Sequence, residues 1–303
     1  MPAVVIDHVT KTYGTFTAVN DLSLQVPENT IYGFIGPNGS GKTTTLRMIM
    51  RILHPDQGDI SVLGDNSLDS ANDEVAYLPE ERGLYKQMKV REVLRFYAEL
   101  KGCRDSKESI DTWLQRMNLA DWADKKVEAL SKGMSQKVQF IATVVARPKL
   151  VLLDEPFSGL DPVNAEVLRE AVLDLRKEGA TVIFSTHDMS VAEKMCDFIF
   201  MIYKGNKVLD GTLEAIQDKY GSDTVRVRLE GHQGYLDNLP GVLKVTDYGR
   251  YQELRLDRTT DSQQLLHEIM ARGKVRHFEL TKPSLQEIFV RIANPEAEEN
   301  HHA

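Results

Sequence analysis

Two short stretches carry the residue types that phosphate chemistry uses. The run "GPNGSGKT", Gly36 to Thr43, fits G-x-x-x-x-G-K-[ST] at Gly36, Gly41, Lys42 and Thr43. Glycines let backbone approach a polyphosphate closely, and the N–H groups of such a loop and of the helix that follows cradle its charge. On this reading Gly36, Pro37, Asn38, Gly39, Ser40, Gly41, Lys42, Thr43 and Thr44 hold a nucleotide. Lys42 reaches the β- and γ-phosphates, and the Thr43 hydroxyl ligates magnesium. The second stretch, "LVLLDEP", Leu150 to Pro156, ends an apolar run in two carboxylates. Asp154 is placed to hold magnesium directly or through water, and Glu155 to polarise an attacking water.

Such residues need strand ends and a helix start to hold them. "IYGFIG" before the loop is a short apolar run, and "KTTTLRMIMRIL" after it spaces Leu46, Ile49, Met50 and Leu53 as a helix. "LVLLDEP" and "TVIFSTH" read as strands buried on both faces, separated by a helix from roughly Asn164 to Glu178. "VVIDHVT" and "LSLQV" alternate at period two, the latter with Leu22, Leu24 and Val26 on one face. "FIFMIYKGNKVLDG" predicts a hairpin turning at Gly205 and Asn206. From Lys89 to about Arg147 the periodicity is helical: Val90, Val93, Leu94, Tyr97 and Leu100, then Ile110, Trp113, Leu114 and Met117.

These elements predict a layered α/β domain over 1–220 with a helical insert at about 88–148. Beyond residue 221 the texture changes. "TVRVRLEG" and "YQELRLD" alternate like exposed-edge strands, and "DSQQLLHEIMARG" and "PSLQEIFVRI" read as short helices, predicting a small α+β domain over 221–293. The polar, acidic segment 294–303 is expected to be disordered.

Composition narrows the classes. The chain has 303 residues and a formal net charge of −8, which gives no basic footprint and argues against nucleic acid as the main partner. Its only cysteines, Cys103 and Cys196, are far apart and lack metal-ligand spacing. No apolar run approaches the roughly 18 residues needed to span a bilayer, so the sequence reads as neither secreted nor membrane-spanning by itself.

Phosphate loop, helical insert, "LSKGM" and then "LVLLDEPFSGLD" occur in an order that resembles the nucleotide-binding subunit of ATP-binding cassette (ABC) transporters, over roughly residues 3 to 215. The resemblance implies a P-loop ATPase fold of that type, with an antiparallel β subdomain beside the layered core, and ATP with Mg2+ as its ligands. It also implies that Tyr13 stacks on adenine, that His187 contacts the γ-phosphate, and that "SGLD", Ser158 to Asp161, meets a partner subunit across a dimer, bringing Asp161 to the nucleotide.

Two positions depart from the family's pattern. Glu80 stands where a glutamine usually reaches toward magnesium and the membrane partner, a carboxylate the site should tolerate only with metal bound. The L-S-G-G-Q signature is represented by Leu130, Ser131, Lys132, Gly133 and Met134. Ser131 and Gly133 keep a hydroxyl and an unhindered N–H at a helix N-terminus, suited to a phosphate. The resemblance implies that this phosphate belongs to ATP held by a second subunit.

Expected partners are therefore a second ABC subunit, identical or paralogous, and an integral membrane permease. The expected location is cytoplasmic, on the inner face of the membrane. The ending "FELTKPSLQEIFV" resembles the C-terminal extension of cassette subunits in bacterial two-component exporters of sodium, drugs or antibiotics. A rival reading is a soluble ABC ATPase acting on nucleic acid or ribosomes. Such relatives usually carry two cassettes, a long coiled coil or zinc motifs, none of which is visible here.

Overall fold

In a computed structural model, which describes residues 1–65, 73–81, 83–220, 224–230, 234–257 and 259–293, strands β1 (Pro2–Tyr13) and β2 (Phe16–Pro27) pair antiparallel. Leu22, Leu24 and Val26 are buried, as period-two alternation requires. After β3 (Ile31–Ile35) come α1 (Lys42–Ile49), β4 (Gln57–Val62) and β5 (Val75–Leu78). Helix α1 stops short of Leu53 because Arg51 takes φ 57, outside the helical region. The insert holds α2 (Val90–Leu100), α3 (Lys107–Arg116) and α4 (Lys132–Val144). Then follow β6 (Leu150–Asp154), α5 (Pro162–Lys177), β7 (Thr181–Thr186), α6 (Met189–Met195), β8 (Phe198–Tyr203) and β9 (Asn206–Gly211).

The six-stranded sheet runs β5-β6-β7-β3-β8-β9, parallel except for the closing β8–β9 hairpin. Its inner strands β6, β7, β3 and β8 are mostly apolar because both faces are covered, whereas the edge strand β9 is polar and largely exposed. Leu150, Leu152, Ile183 and Phe34 face one core, shared with the β2-β1-β4 sheet, while Val151, Leu153, Val182 and Phe184 face the other, shared with α2–α5. Burying one such side chain contributes about 1.5–3 kcal/mol. The hairpin turns at Lys204 and Gly205, not at Gly205 and Asn206. These two take φ 49 and 78, as a tight two-residue turn demands, while Asn206 opens β9 and its amide donates to the Lys204 carbonyl at 2.9 Å.

The chain divides into two compact units, Met1–Thr212 and Leu213–Ala303. The second contains α7 (Leu213–Tyr220), β10 (Thr224–Glu230), β11 (Val242–Asp247), β12 (Gln252–Leu256), α8 (Ser262–Arg272), β13 (Lys274–Thr281) and α9 (Leu285–Ala293). Helix α7, which the sequence reading left with the first domain, falls in this unit. Its antiparallel sheet runs β11-β12-β10-β13. Strands β10 and β12, expected at exposed edges, are therefore its two central strands. Alternation reports that one face is solvated, which a central strand shares with an edge strand. Val225, Val227, Leu254 and Leu256 pack with Leu265 and Ile269 of α8. The expected disordered tail, 294–303, lies outside the described residues.

Candidate nucleotide site

Three strands lie side by side as β6-β7-β3, all pointing the same way, so whatever follows each of them gathers at one edge. Asp154 pairs with Ser185 and Thr186 with Ile35. Glu155, His187 and the glycine-rich loop are the residues that come next. The loop is tied back at its start, where the Gly36 N–H donates to the Thr186 carbonyl at 3.3 Å.

The loop's glycines answer to neighbours. A β-carbon on Gly36 would lie 2.2 Å from the Ile202 carbonyl oxygen, and one on Gly41 would lie 2.5 Å from that of Ala18. Both residues also take positive φ, 151 and 112. Gly41 caps α1 without a side-chain hydrogen bond, leaving the first helical amides to an outside acceptor. Lys42, 6% exposed, donates to the Gly36 and Pro37 carbonyls at 2.8 and 3.1 Å. Its ammonium also lies 3.7 Å from a Glu155 oxygen. Burial lowers its pKa, an effect that the carboxylates of Glu155 and Asp154 oppose. The Ser40 hydroxyl is buried without a hydrogen-bond partner. An orphaned donor, capless helix amides and a buried ammonium fit an incoming phosphate chain.

The carboxylates are held by residues that sequence reasoning missed. Asp154, 1% exposed, accepts from Thr43 Oγ1 at 3.1 Å and from Ser185 Oγ at 2.6 Å on one oxygen, and from Tyr77 OH at 3.2 Å on the other. Burial, then the charge of Asp154, pushes the Tyr77 phenol up to about 12, so it stays a donor. Thr43 and Asp154 thus stand together as a hydroxyl and a carboxylate. This donor set suits magnesium, a hard cation that keeps waters and phosphate oxygens for the rest of its shell. Ser185 also accepts from the Glu155 N–H at 2.9 Å. Glu155 has φ 48, a left-handed conformation that costs a side-chain-bearing residue about 1–2 kcal/mol and turns its carboxylate off the strand line. Both its oxygens lie 3.0 Å from Nδ1 of His187. An ionised carboxylate there requires a proton on Nδ1, which leaves Nε2 facing away.

A cleft of about 330 Å³ opens over the loop, lined by Asn38, Gly39, Ser40, Gly41, Lys42, Thr43 and Thr44, by Tyr13, Phe16 and Ala18, and by Glu80 and Glu155. Tyr13 and Phe16 are cross-strand partners closing the β1–β2 hairpin, and both are about half exposed, 48% and 59%. Phe16 went unread because a lone aromatic after a turn has no periodic signature. Glu80 faces the cleft and acts on Lys42 electrostatically.

Ser131, Gly133 and Asp161 do not line this cleft. Ser131 caps α4 by accepting from the Met134 N–H at 3.3 Å. A β-carbon on Gly133 would meet Asn164 and Leu160 at 3.4 and 3.5 Å, and one on Gly159 would meet Lys132 Nζ at 3.0 Å. The signature turn therefore packs against the "SGLD" loop. Asp161 caps α5 instead, accepting from the amides of Val163 and Asn164 at 3.1 and 3.0 Å and from the Asn164 side chain at 2.5 Å. Those bonds from Asn164 hold its carboxyl below the usual range.

Among the described residues no helix is long and apolar enough to cross a membrane. The family model for ABC transporters matches residues 19–158, and that for the C-terminal domain of DrrA1-3-like ATP-binding proteins matches 211–293. The ABC transporter ATP-binding protein YhaQ of Bacillus subtilis (strain 168) is 42% identical over 94% of this chain and 96% of its own length. Nod factor export ATP-binding protein I of Burkholderia orbicola (strain AU 1054) is 31% identical over 96% and 97%. A solved structure of the ATP-binding subunit of an ABC transporter superposes with a TM-score of 0.68 at 29% identity, covering 72% of this chain and 93% of that one. A phosphate loop, a magnesium-type donor pair and a buried glutamate on this fold, in a chain so similar end to end to such proteins, are those of an ATPase: the chain belongs to the ATP-binding subunits of ABC transporters.

Proposed function

We propose that this ATPase works as half of a dimer, closing on two MgATP molecules and driving a separately encoded permease that exports its cargo. One observation carries the dimer. The cleft contains the phosphate loop and Glu155 but not Ser131 or Gly133, whose helix N-terminus is exposed and already braced by the "SGLD" loop. Each chain thus offers its loop to the partner's signature turn and its own signature turn to the partner's loop.

Within the closed site, Lys42 exchanges the Gly36 and Pro37 carbonyls for the β- and γ-phosphates. Thr43 and Asp154, with Glu80 across the cleft, would hold magnesium, which neutralises charge on the phosphates. Glu155 takes the proton of the attacking water while His187 holds its carboxylate in place. Tyr13, with Phe16 beside it, stacks on adenine. Ser131 and Gly133 meet the γ-phosphate of the other subunit's ATP, with Asp161 ordering the adjoining loop.

For the permease, support comes from an exposed aromatic beyond Glu80 and the half-buried aromatics it packs on. Tyr85 is 53% exposed and meets Phe96 edge-on at 5.5 Å, and Phe96 meets Tyr97 at 5.6 Å, a surface of the kind that docks protein partners. The Nod factor export relative supports export. The test is Glu155→Gln with ATP: a dimer by light scattering and a co-purifying membrane protein are expected. A ribosome or nucleic-acid complex in their place would favour a soluble machine and overturn the transport role.

A further inference from the structure

One face of the second unit's sheet gathers arginines in a chain whose formal net charge is −8. Along β10, Val225, Val227 and Leu229 enter the core, so alternation puts Arg226, Arg228 and Glu230 on the opposite face. On β13, Arg228 pairs with His277 and Leu229 with Val275, leaving Arg276 as an extra residue at a register shift. A bulge of that kind re-aims a side chain, and Arg276 bonds Glu230 with its Nε at 2.7 Å.

The result is a groove of about 800 Å³ lined by Arg226, Arg228, Arg250, Arg276, Tyr251 and Glu230, among others. Two of the guanidinium groups are braced. Arg226 bonds Glu253 at 2.8 Å and lies 4.7 Å from the centre of the Tyr251 ring, which itself stacks on Tyr248 at 5.1 Å. Arg276 is held by Glu230. Arg228 and Arg250 are exposed and have no ion-pair or hydrogen-bond partner among the described residues.

Glu253 and Glu230 already match Arg226 and Arg276, which leaves the charges of Arg228 and Arg250 for an anion to join. A planar carboxylate is satisfied by one guanidinium fork, whereas a tetrahedral oxyanion accepts from several directions at once. We propose that this groove is a second anion site, separate from the ATP cleft, that binds a tetrahedral phosphate group. Arg228 and Arg250 supply the contacts that the ligand completes, and Arg226 and Arg276 supply a fixed wall. A soluble phosphoester or polyphosphate and the headgroup of an anionic phospholipid share this chemistry.

The test uses the full chain carrying Lys42→Ala, so that the ATP loop does not compete. It is titrated calorimetrically with inorganic tripolyphosphate and, separately, sedimented with vesicles of phosphatidylcholine with or without phosphatidylglycerol. Binding to one probe is expected, weakened at least about 10-fold by Arg228→Gln with Arg250→Gln at an unchanged thermal midpoint. The corresponding lysine pair restores only part of it, because the fork is lost. Tripolyphosphate binding identifies a soluble ligand, and binding only to phosphatidylglycerol vesicles identifies a headgroup. Binding to neither probe, binding indifferent to the arginine changes, or a preference for single-stranded RNA overturns the proposal.

Discussion

Nδ1 of His187 lies 3.0 Å from both carboxylate oxygens of Glu155, so the residue after β7 steers the one after β6. The carboxylate is 9% exposed and the imidazole 54%, which puts the base inside and its steering group at the rim.

Glu155→Gln should lower kcat for ATP by about 10²–10⁴-fold, the range for loss of a general base, while ATP still binds. His187→Ala should cost about 10²-fold through misplacement of that base, with KM nearly unchanged. Steady-state turnover against ATP concentration separates the two effects. Wild-type turnover by Glu155→Gln would remove its assignment as base.

Ser185 bridges the two acidic residues, donating to Asp154 and accepting from the Glu155 amide. Ser185→Ala should reduce apparent magnesium affinity or turnover about 10–100-fold, as loss of an outer partner of a metal ligand does. Tyr77→Phe should act in the same direction on the other Asp154 oxygen. Magnesium titrations of ATPase activity read both, and curves that overlay the wild type would deny these residues a positioning role.

Ser131→Arg should lower turnover by about 10²-fold or more and abolish ATP-driven dimerisation, leaving ATP binding to the monomer intact. Equilibrium binding of a fluorescent ATP analogue beside light scattering checks this. Equal loss of monomer binding would mean that the turn serves its own chain's nucleotide.

Asp56 accepts from Lys11 Nζ at 2.8 Å and from the Thr12 amide and hydroxyl at 2.7 Å each. These bonds, that from Lys11 foremost, bring its pKa down to about 2, against about 3.9 unfolded. Its stabilisation is therefore present above about pH 4 and is lost as pH falls through about 2. Asp56→Asn should lower the thermal midpoint at pH 7, and the gap from wild type should close on acidification. A gap independent of pH would contradict the ionic origin.

Much of this was legible in the sequence because the fully covered strands leave little room for polar residues, so "LVLLDEP" and "TVIFSTH" announced both their burial and their ends. Less legible were residues whose role depends on a neighbour in space. Ser185 is a serine in a completely buried strand, and that polarity was the available signal; its meaning depends on lying opposite Asp154. Tyr77 stands among apolar neighbours in β5, and nothing in the sequence tells that its hydroxyl meets Asp154. The order β11-β12-β10-β13 was hidden because pairing partners come from distant turns, and a solvated face looks alike on an edge strand and a central one.

The ammonium of Lys42, closed on the carbonyls of Gly36 and Pro37, is already satisfied within its own loop. An arriving nucleotide trades one set of contacts for another, so only the difference favours binding. A single phosphate must open the same lock for a smaller return than three in a row. The loop therefore measures phosphate-chain length, and affinity rising steeply from AMP to ATP is how that ruler would show.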